Sequence, residues 1–442
     1  QKMNITKESI DALNAVVKVE ISAADYQDKV TKILQDYRQK ANIPGFRKGH
    51  VPMGMVKKQY GKSIMIDEVN KLLQESLNNF LVEEKLDILG NPLPKMQDDF
   101  SWETENYSFE FELGLAPEFE VNLDAKKKIT QYNIVADKEL LNKEVENLQK
   151  RFGKLVTKEV VEEGVNIAGS FANEEKGIDK KSTISLESIK GKVNQKKFIG
   201  KKVGDVIELE TKGLFEDDHK LMGALGLSHD EIHGLEILVT FTIEEINNTE
   251  LAEINQELFD KIFGADVVKS IEELKEKIKE DAEKQFQTQA DQQLLNAVTE
   301  YLVENTKFDL PAEFLKKWLA VAGEKPMTAE QAGEEFDKSE KGLRYQLIEG
   351  KVIKDNNLQI SFDELKDFTK GFVKTQMAQY GQLNPEEKDL EDIVQRVLGN
   401  QDEAKRLQEQ LMSQKLLNFY KGNITFKVKE VNYEEFVKEV YK

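Results

Sequence analysis

The chain has 442 residues, no Cys, 33% charged residues and a formal net charge of −19 at pH 7. That length exceeds what one hydrophobic core organises, so about three domains are expected. The lack of Cys excludes a disulfide framework and thiolate chemistry and fits a reducing cytoplasm. With 39% hydrophobic residues and only 8 Pro the chain reads as folded and helix-rich. No apolar run approaches the roughly 20 residues of a membrane span, and residues 1–20 lack the basic-then-apolar order of an export signal. Met3 reads as the natural start, with Gln1 and Lys2 an added remnant.

Residues 15–21 alternate, with Val17, Val19 and Ile21 against Lys18 and Glu20, which predicts a half-buried strand. A helix is predicted over 22–42, its apolar face made by Tyr26, Val30, Ile33, Leu34 and Tyr37. Pro44 and Gly45 end it, because Pro disfavours helical geometry in the residue before it and Gly permits a turn. Pro52 opens a second helix through Met55, Val56, Tyr60 and Ile64 to residue 86. Trp102, Tyr107, Phe109 and Phe111 mark returning strands.

The turn between those helices is basic. Residues 29–62 hold nine Lys or Arg and one acid, Asp36, inside a strongly acidic chain. A concentrated cationic patch on an anionic body steers the molecule toward a polyanion in one orientation. Phe46, set between Gly45 and Arg47 on an inter-helix loop, is expected to be exposed, since loop backbones run over surfaces.

Residues 116–153 read as a linker with a helix over 137–151, where Leu140, Leu141, Val145 and Leu148 form a narrow stripe. The run Lys126, Lys127 and Lys128 reads as a solvated face, because acids surround it. Residues 154–247 are strand-like at 165–171, 182–189, 206–209 and 235–243. His229 and His233 stand at i and i+4, but no third ligand accompanies them, so no metal site is expected. No nucleophile triad and no phosphate-cradling Gly loop occurs, so no cofactor is expected either.

From residue 248 onward the chain is mainly helical. Ile271, Leu274, Ile278, Ala282, Phe286, Ala290, Leu294, Val298 and Leu302 recur at intervals of three and four along one long helix, and Pro311 punctuates before the next. Later helices are predicted over 343–353, 362–380 and 407–420. Gln, Ala and Lys interrupt several stripes, as in 285–293. Residual apolar surface on such helices would suit weak holding of unfolded chains. Residues 247–442 carry 28 Lys and Arg against 39 acids. Such a surface will not lie along nucleic acid, so any RNA contact must come from the first domain.

Gly45-Phe46-Arg47-Lys48-Gly49-His50-Val51-Pro52 resembles the Gly-Phe-Arg-x-Gly-x-x-Pro signature of the trigger factor family, and Lys57, Lys58, Tyr60 and Gly61 follow in the family manner. Residues 255–264, 270–281, 309–314 and 343–350 are similar to that family's C-terminal chaperone domain. Residues 198–209 are similar to the hallmark of the FK506-binding (FKBP) type of prolyl isomerase.

The resemblance implies an α+β multidomain fold: an α/β ribosome-binding domain (1–115), a linker (116–153), an FKBP-like β-rich domain (154–247) and a helical C-terminal chaperone domain with extended arms (248–442). It implies an ATP-independent, cytoplasmic chaperone without cofactors. Through residues 43–52, and Gly45, Phe46, Arg47, Lys48 and Gly49 above all, such a protein docks on the large ribosomal subunit near the exit tunnel, touching ribosomal protein and rRNA. It binds nascent and unfolded polypeptides, not membranes or DNA, and forms a homodimer off the ribosome.

The alternative implied by the same resemblance is an active prolyl isomerase working on nascent chains. Uncatalysed X-Pro isomerisation crosses a barrier of about 20 kcal/mol, and its catalysis asks for a dry, aromatic pocket. Phe171, Phe198 and Phe241 are the candidate pocket residues. The segment has neither Tyr nor Trp, and Val193-Asn194-Gln195-Lys196-Lys197 replaces the usual Pro-Gly-Phe-Glu element, so the pocket looks depleted.

Overall fold

The computed structural model describes residues 4–441. The proposed start at Met3, with Gln1 and Lys2, lies outside the described residues. The chain forms two compact units: residues up to 131 together with 291–428, and residues 132–290 together with the segment from 429 onward.

In the first unit, strands Asn4–Ser9, Asn14–Ile21, Ile88–Pro94 and Tyr107–Leu115 build an antiparallel sheet. Its central pair runs in continuous register from Asn14 opposite Gly114 to Ile21 opposite Tyr107. Alternation places Val17, Val19 and Ile21 beneath two helices, where Val30, Leu34, Val69, Leu73 and Leu77 close the core over Phe111 and Leu113. The first helix, Ala23–Lys40, starts at Ser22, whose N–H and hydroxyl both reach the Asp25 carboxylate. The second runs as Met53–Val56, a π-helical turn Lys57–Gly61 and Lys62–Glu83.

Two strands of this sheet escape sequence reading. Asn4–Ser9 is an edge strand that stays largely exposed, so it carries little apolar alternation. Ile88–Pro94 contains three residues, Gly90, Pro92 and Pro94, that normally argue against a strand, and its pairing slips between Leu89 and Leu93. Trp102 is not on a strand as expected. It sits in the turn before Tyr107, edge-on to Phe100 at 4.9 Å.

Helices Ala312–Ala322, Ala329–Asp355, Phe362–Gln379, Glu387–Gly399 and Gln401–Asn423 complete this unit. Gly114 lets Phe314 lie against the sheet, for a Cβ there would come within 2.3 Å of the ring. The segment read as a linker is built into this helical core. Ala125 and Ile129 are buried among Leu294, Val298, Leu302, Ile348, Tyr420 and Phe426. Their spacing carried no helical or strand period, so the sequence pattern could not signal their burial. The Lys126, Lys127 and Lys128 side chains are exposed, as expected.

The second unit contains a five-stranded antiparallel sheet. Its strands are Lys154–Lys158, Asn166–Asn173, Ile178–Ser185, Val206–Glu210 and Leu238–Glu250, and the last of them pairs with three others. Lys154 pairs with Glu250, so this domain is entered and left on neighbouring strands. Helix Asp218–Leu225 is capped by Asp217 and ended by left-handed Gly226, and it sinks Leu221, Ala224 and Leu225 into the sheet core. Helices Lys138–Arg151 and Gln256–Phe263 meet through Val145 and Phe259. The C-terminal helix Tyr433–Val440 plants fully buried Phe436 beside Ile134 and Phe286.

Candidate functional site

Two successive turns shape the basic tip. The Phe46 N–H donates to the Ile43 carbonyl at 3.1 Å, and the His50 N–H to the Arg47 carbonyl at 2.9 Å. In each turn the third residue is glycine with positive φ, +93° at Gly45 and +84° at Gly49. Pro44 stands before Gly45, where its fixed φ suits a type II turn, and glycine takes the following left-handed position without cost. The two motif glycines therefore have one backbone job each. Phe46 and Arg47 fall at the junction of the turns, on their outer side.

The loop is held at its base. Arg38 Nε donates to the Val51 carbonyl at 2.8 Å, Val51 and Val56 are fully buried, and the Tyr37 and Tyr60 rings lie 5.3 Å apart. Phe46 remains 39% exposed, and Met55 42%.

The positive charge is sorted. Lys29 pairs with Glu68 at 3.1 Å, a carboxylate only 5% exposed. Lys62 meets Glu103 at 2.5 Å and holds its carboxyl below the usual range. With Arg38 turned to the backbone, three of the nine cations serve the fold. Lys32, Lys40, Arg47, Lys48, Lys57 and Lys58 are exposed, and among the described residues none is within ion-pair distance of a carboxylate. The tip thus offers an exposed apolar ring and thioether beside uncompensated cations, a surface able to meet phosphates and an apolar partner together.

The candidate pocket residues are placed differently. Phe171, Phe198 and Phe241 are all 0% exposed. Phe241 stands 4.6 Å from Phe171 and 5.9 Å from Phe198, ring centre to ring centre. They form one aromatic core, and no face of any of them is open to a ligand. Phe215 is buried as well. Phe171 and Phe241 face each other on paired strands and Phe198 ends a short helix, placements that fit a pocket wall or a core equally, so the sequence could not separate the two. His229 and His233 lie with rings nearly parallel at 6.4 Å, and no cluster of three metal-ligating side chains exists among the described residues.

On the helical side of the first unit, a groove of about 560 Å³ is lined by Leu89, Leu315, Trp318, Leu319, Phe336 and Leu343. Helices Phe362–Gln379 and Glu387–Gly399 and the loop between them leave Phe362, Tyr380 and Leu383 largely exposed. Of these only Phe362 lies on a helix, and on the interrupted stretch 285–293 the apolar residues Phe286 and Ala290 are buried. No helix among the described residues is long and apolar enough to cross a membrane.

Comparison with known proteins bears on each part. Residues 3–148 match the profile of the bacterial trigger factor protein, 155–251 that of the probable trigger factor FKBP-like domain, and 290–440 that of the probable trigger factor C-terminal domain. The trigger factor of Treponema denticola is 25% identical over 96% of this chain and 97% of its own length. That of Clostridium botulinum (strain Alaska E43 / Type E3) is 26% identical over 92% and 88%. A solved structure concerned with promiscuous substrate recognition in the folding and assembly activities of the trigger factor chaperone superposes with a TM-score of 0.54 at 18% identity, over 96% of this chain and all of that one.

Proposed function

Since the chain belongs to the trigger factor family, we propose that it is an ATP-independent, cytoplasmic chaperone that docks on the large ribosomal subunit at the exit tunnel through residues 43–52 and holds emerging polypeptides on its helical unit. One observation carries the docking assignment: Phe46 and Arg47 stand out from two glycine-dependent turns while every neighbouring cation not used by the fold is left unpaired. In this reading Arg47, Lys48, Lys57 and Lys58 meet rRNA phosphates and Phe46 meets ribosomal protein. The groove around Trp318 and the exposed side chains Phe362, Tyr380 and Leu383 supply the apolar surface for clients, and the acidic charge keeps that surface soluble. Off the ribosome, pairing of two copies would cover part of it.

The FKBP-like domain is proposed to contribute shape and reach, not catalysis. A rotamase must strip water from a bound amide, and the three candidate Phe have no surface to offer one. A protease-coupled isomerisation assay on an apolar-Pro peptide should show a rate close to the uncatalysed one. Strong catalysis abolished by Phe198→Ala without unfolding would reverse this assignment.

The test of docking is co-sedimentation with ribosomes. The Phe46→Ala, Arg47→Ala, Lys48→Ala variant should bind at least about tenfold more weakly with unchanged melting, and added salt should mimic the loss. Wild-type binding by that variant refutes the site. The test of client holding is excision of residues 154–250, whose ends pair side by side and can be joined by a short flexible link. Suppression of aggregation of a refolding client should survive the excision.

A further inference from the structure

A second cationic surface lies far from the tip in sequence. Residues 190–202 read Lys-Gly-Lys-Val-Asn-Gln-Lys-Lys-Phe-Ile-Gly-Lys-Lys, six lysines in thirteen positions with no acid. Lys190, Lys192, Lys196, Lys197, Lys201 and Lys202 are all exposed, and among the described residues none has a carboxylate within ion-pair distance. The domain does form ion pairs where acids are at hand, as between Lys212 and Glu236 at 3.2 Å. Like charges this dense repel one another, and in a chain with 82 Asp and Glu their isolation is a property of the surface.

The segment is also rigid in its attachments. Lys192–Phe198 is a short helix whose last residue is fully buried in the sheet core. The Lys190 N–H donates to the Leu214 carbonyl at 2.8 Å, the Gly200 N–H to the Val161 carbonyl at 3.0 Å, and Gln195 Nε2 to the Ile189 carbonyl at 2.8 Å. Burial of Phe198 fixes the helix so that Lys192 and Lys196 lie one turn apart on one face, with Lys197 exposed beside Lys196. A charge array held in place by the fold binds without an ordering cost for its backbone.

We propose that this face of the FKBP-like domain docks on the phosphate backbone of double-stranded RNA. Charge density favours this partner: a duplex presents one negative charge per ~1.7 Å of axis, whereas an extended acidic peptide offers at most one per ~3.3 Å and must be ordered on binding. The aromatic content favours a duplex over a single strand. The segment's sole ring, Phe198, is buried, and the exposed apolar residues are Val193 and Ile199, so no platform exists on which unpaired bases could stack. The choice of RNA among polyphosphates rests on the docking reading above, which puts the chain on an RNA-rich particle. There the domain would add a second, sequence-indifferent contact and raise the effective concentration of the first.

The experiment is a fluorescence-anisotropy titration of the full chain against a labelled RNA duplex of about 20 base pairs, between about 50 and about 200 mM salt. Lys192→Gln, Lys196→Gln, Lys197→Gln should flatten the slope of log affinity against log salt by about 2 to 3, equivalent to about a 40-fold smaller loss of affinity across that range. Should the triple variant melt early, Lys201→Gln, Lys202→Gln, which lies outside the helix, should flatten it by about 2. The Phe46, Arg47, Lys48 alanine variant is run in parallel. In that background the lysine-dependent slope must persist, which separates failure of this surface from failure of the tip. An unchanged slope in the folded lysine variants, tighter binding to a single strand, or tighter binding to a poly-glutamate of equal charge each overturns the proposal.

Discussion

Phe46 and Phe198 sit in nearly the same local chemistry. One is flanked by Gly45 and by Arg47, Lys48 and Gly49; the other by Lys196 and Lys197 before it and Ile199, Gly200, Lys201 and Lys202 after it. Yet Phe46 is 39% exposed and Phe198 is 0% exposed. What differs is the structure underneath. Below Phe46 two type II-like turns project the chain beyond the ends of two helices. Below Phe198 a five-stranded sheet presents Phe241 and Phe171 to receive the ring. Flanking charge and glycine thus mark both segments as surface, and only the layer behind each decides whether its aromatic residue is exposed or buried.

That contrast can be broken or sharpened by mutation. The largest effect on stability should come from Phe198→Ala, which removes a ring from a closed aromatic core and should cost about 3–5 kcal/mol, read as early loss of the FKBP-like domain in denaturant unfolding. Next comes Gly114→Ala in the first unit, where the new Cβ would stand 2.3 Å from the Phe314 ring. Overpacking there should cost about 1–3 kcal/mol, seen as a lower Tm. Gly45→Ala places a side chain at φ +93° and should cost about 1 kcal/mol, with a loss of ribosome binding out of proportion to the drop in Tm because Phe46 is re-aimed. Phe46→Ala should change stability by less than about 0.5 kcal/mol while weakening docking. If it destabilised as much as Phe198→Ala, the two residues would share one role and the contrast would fall.

The smallest effect tests burial by charge. Desolvation raises the Glu349 carboxyl above its usual range. A carboxyl whose folded pKa is raised favours the folded state while protonated, so its penalty is absent below the ordinary value of 4.5 and grows as pH rises from there through the folded pKa. Glu349→Gln should therefore raise Tm slightly at neutral pH and leave it unchanged in acid, as a pair of melting series at the two pH values would show.

Much of this was legible because it is local. The tip announced itself through Pro44, Gly45 and Gly49, each needed for a specific dihedral angle, and the long helix Ile271–Asn305 through its period. What stayed hidden depends on partners distant in sequence. Ala125 and Ile129 are buried by residues about 165 to 300 positions away, Ile88–Pro94 is a strand only because Tyr107–Leu115 pairs with it, and Phe171 and Phe241 on paired strands with Phe198 at a helix end become core instead of pocket according to what fills the space between them. The lysines of residues 190–202 form a third case. They are as legible as the tip to a charge count, but they lie in the stretch that departs from the family's pocket element.

The core that holds Ala125 and Ile129 also has a direction in time. Every member of the docking domain's core, from Ala15 to Leu113, has been synthesised once the first quarter of the chain is made. The helical core, by contrast, needs Tyr420, Ile424 and Phe426 against Ala125 and Ile129, and cannot close until residue 426 has been made. Joining ends that far apart carries a loop-closure cost that rises only with the logarithm of length, so the delay is one of translation and not of thermodynamics. The first-domain core is therefore complete early in synthesis and the helical core late, so the chain is itself a long-waiting nascent chain.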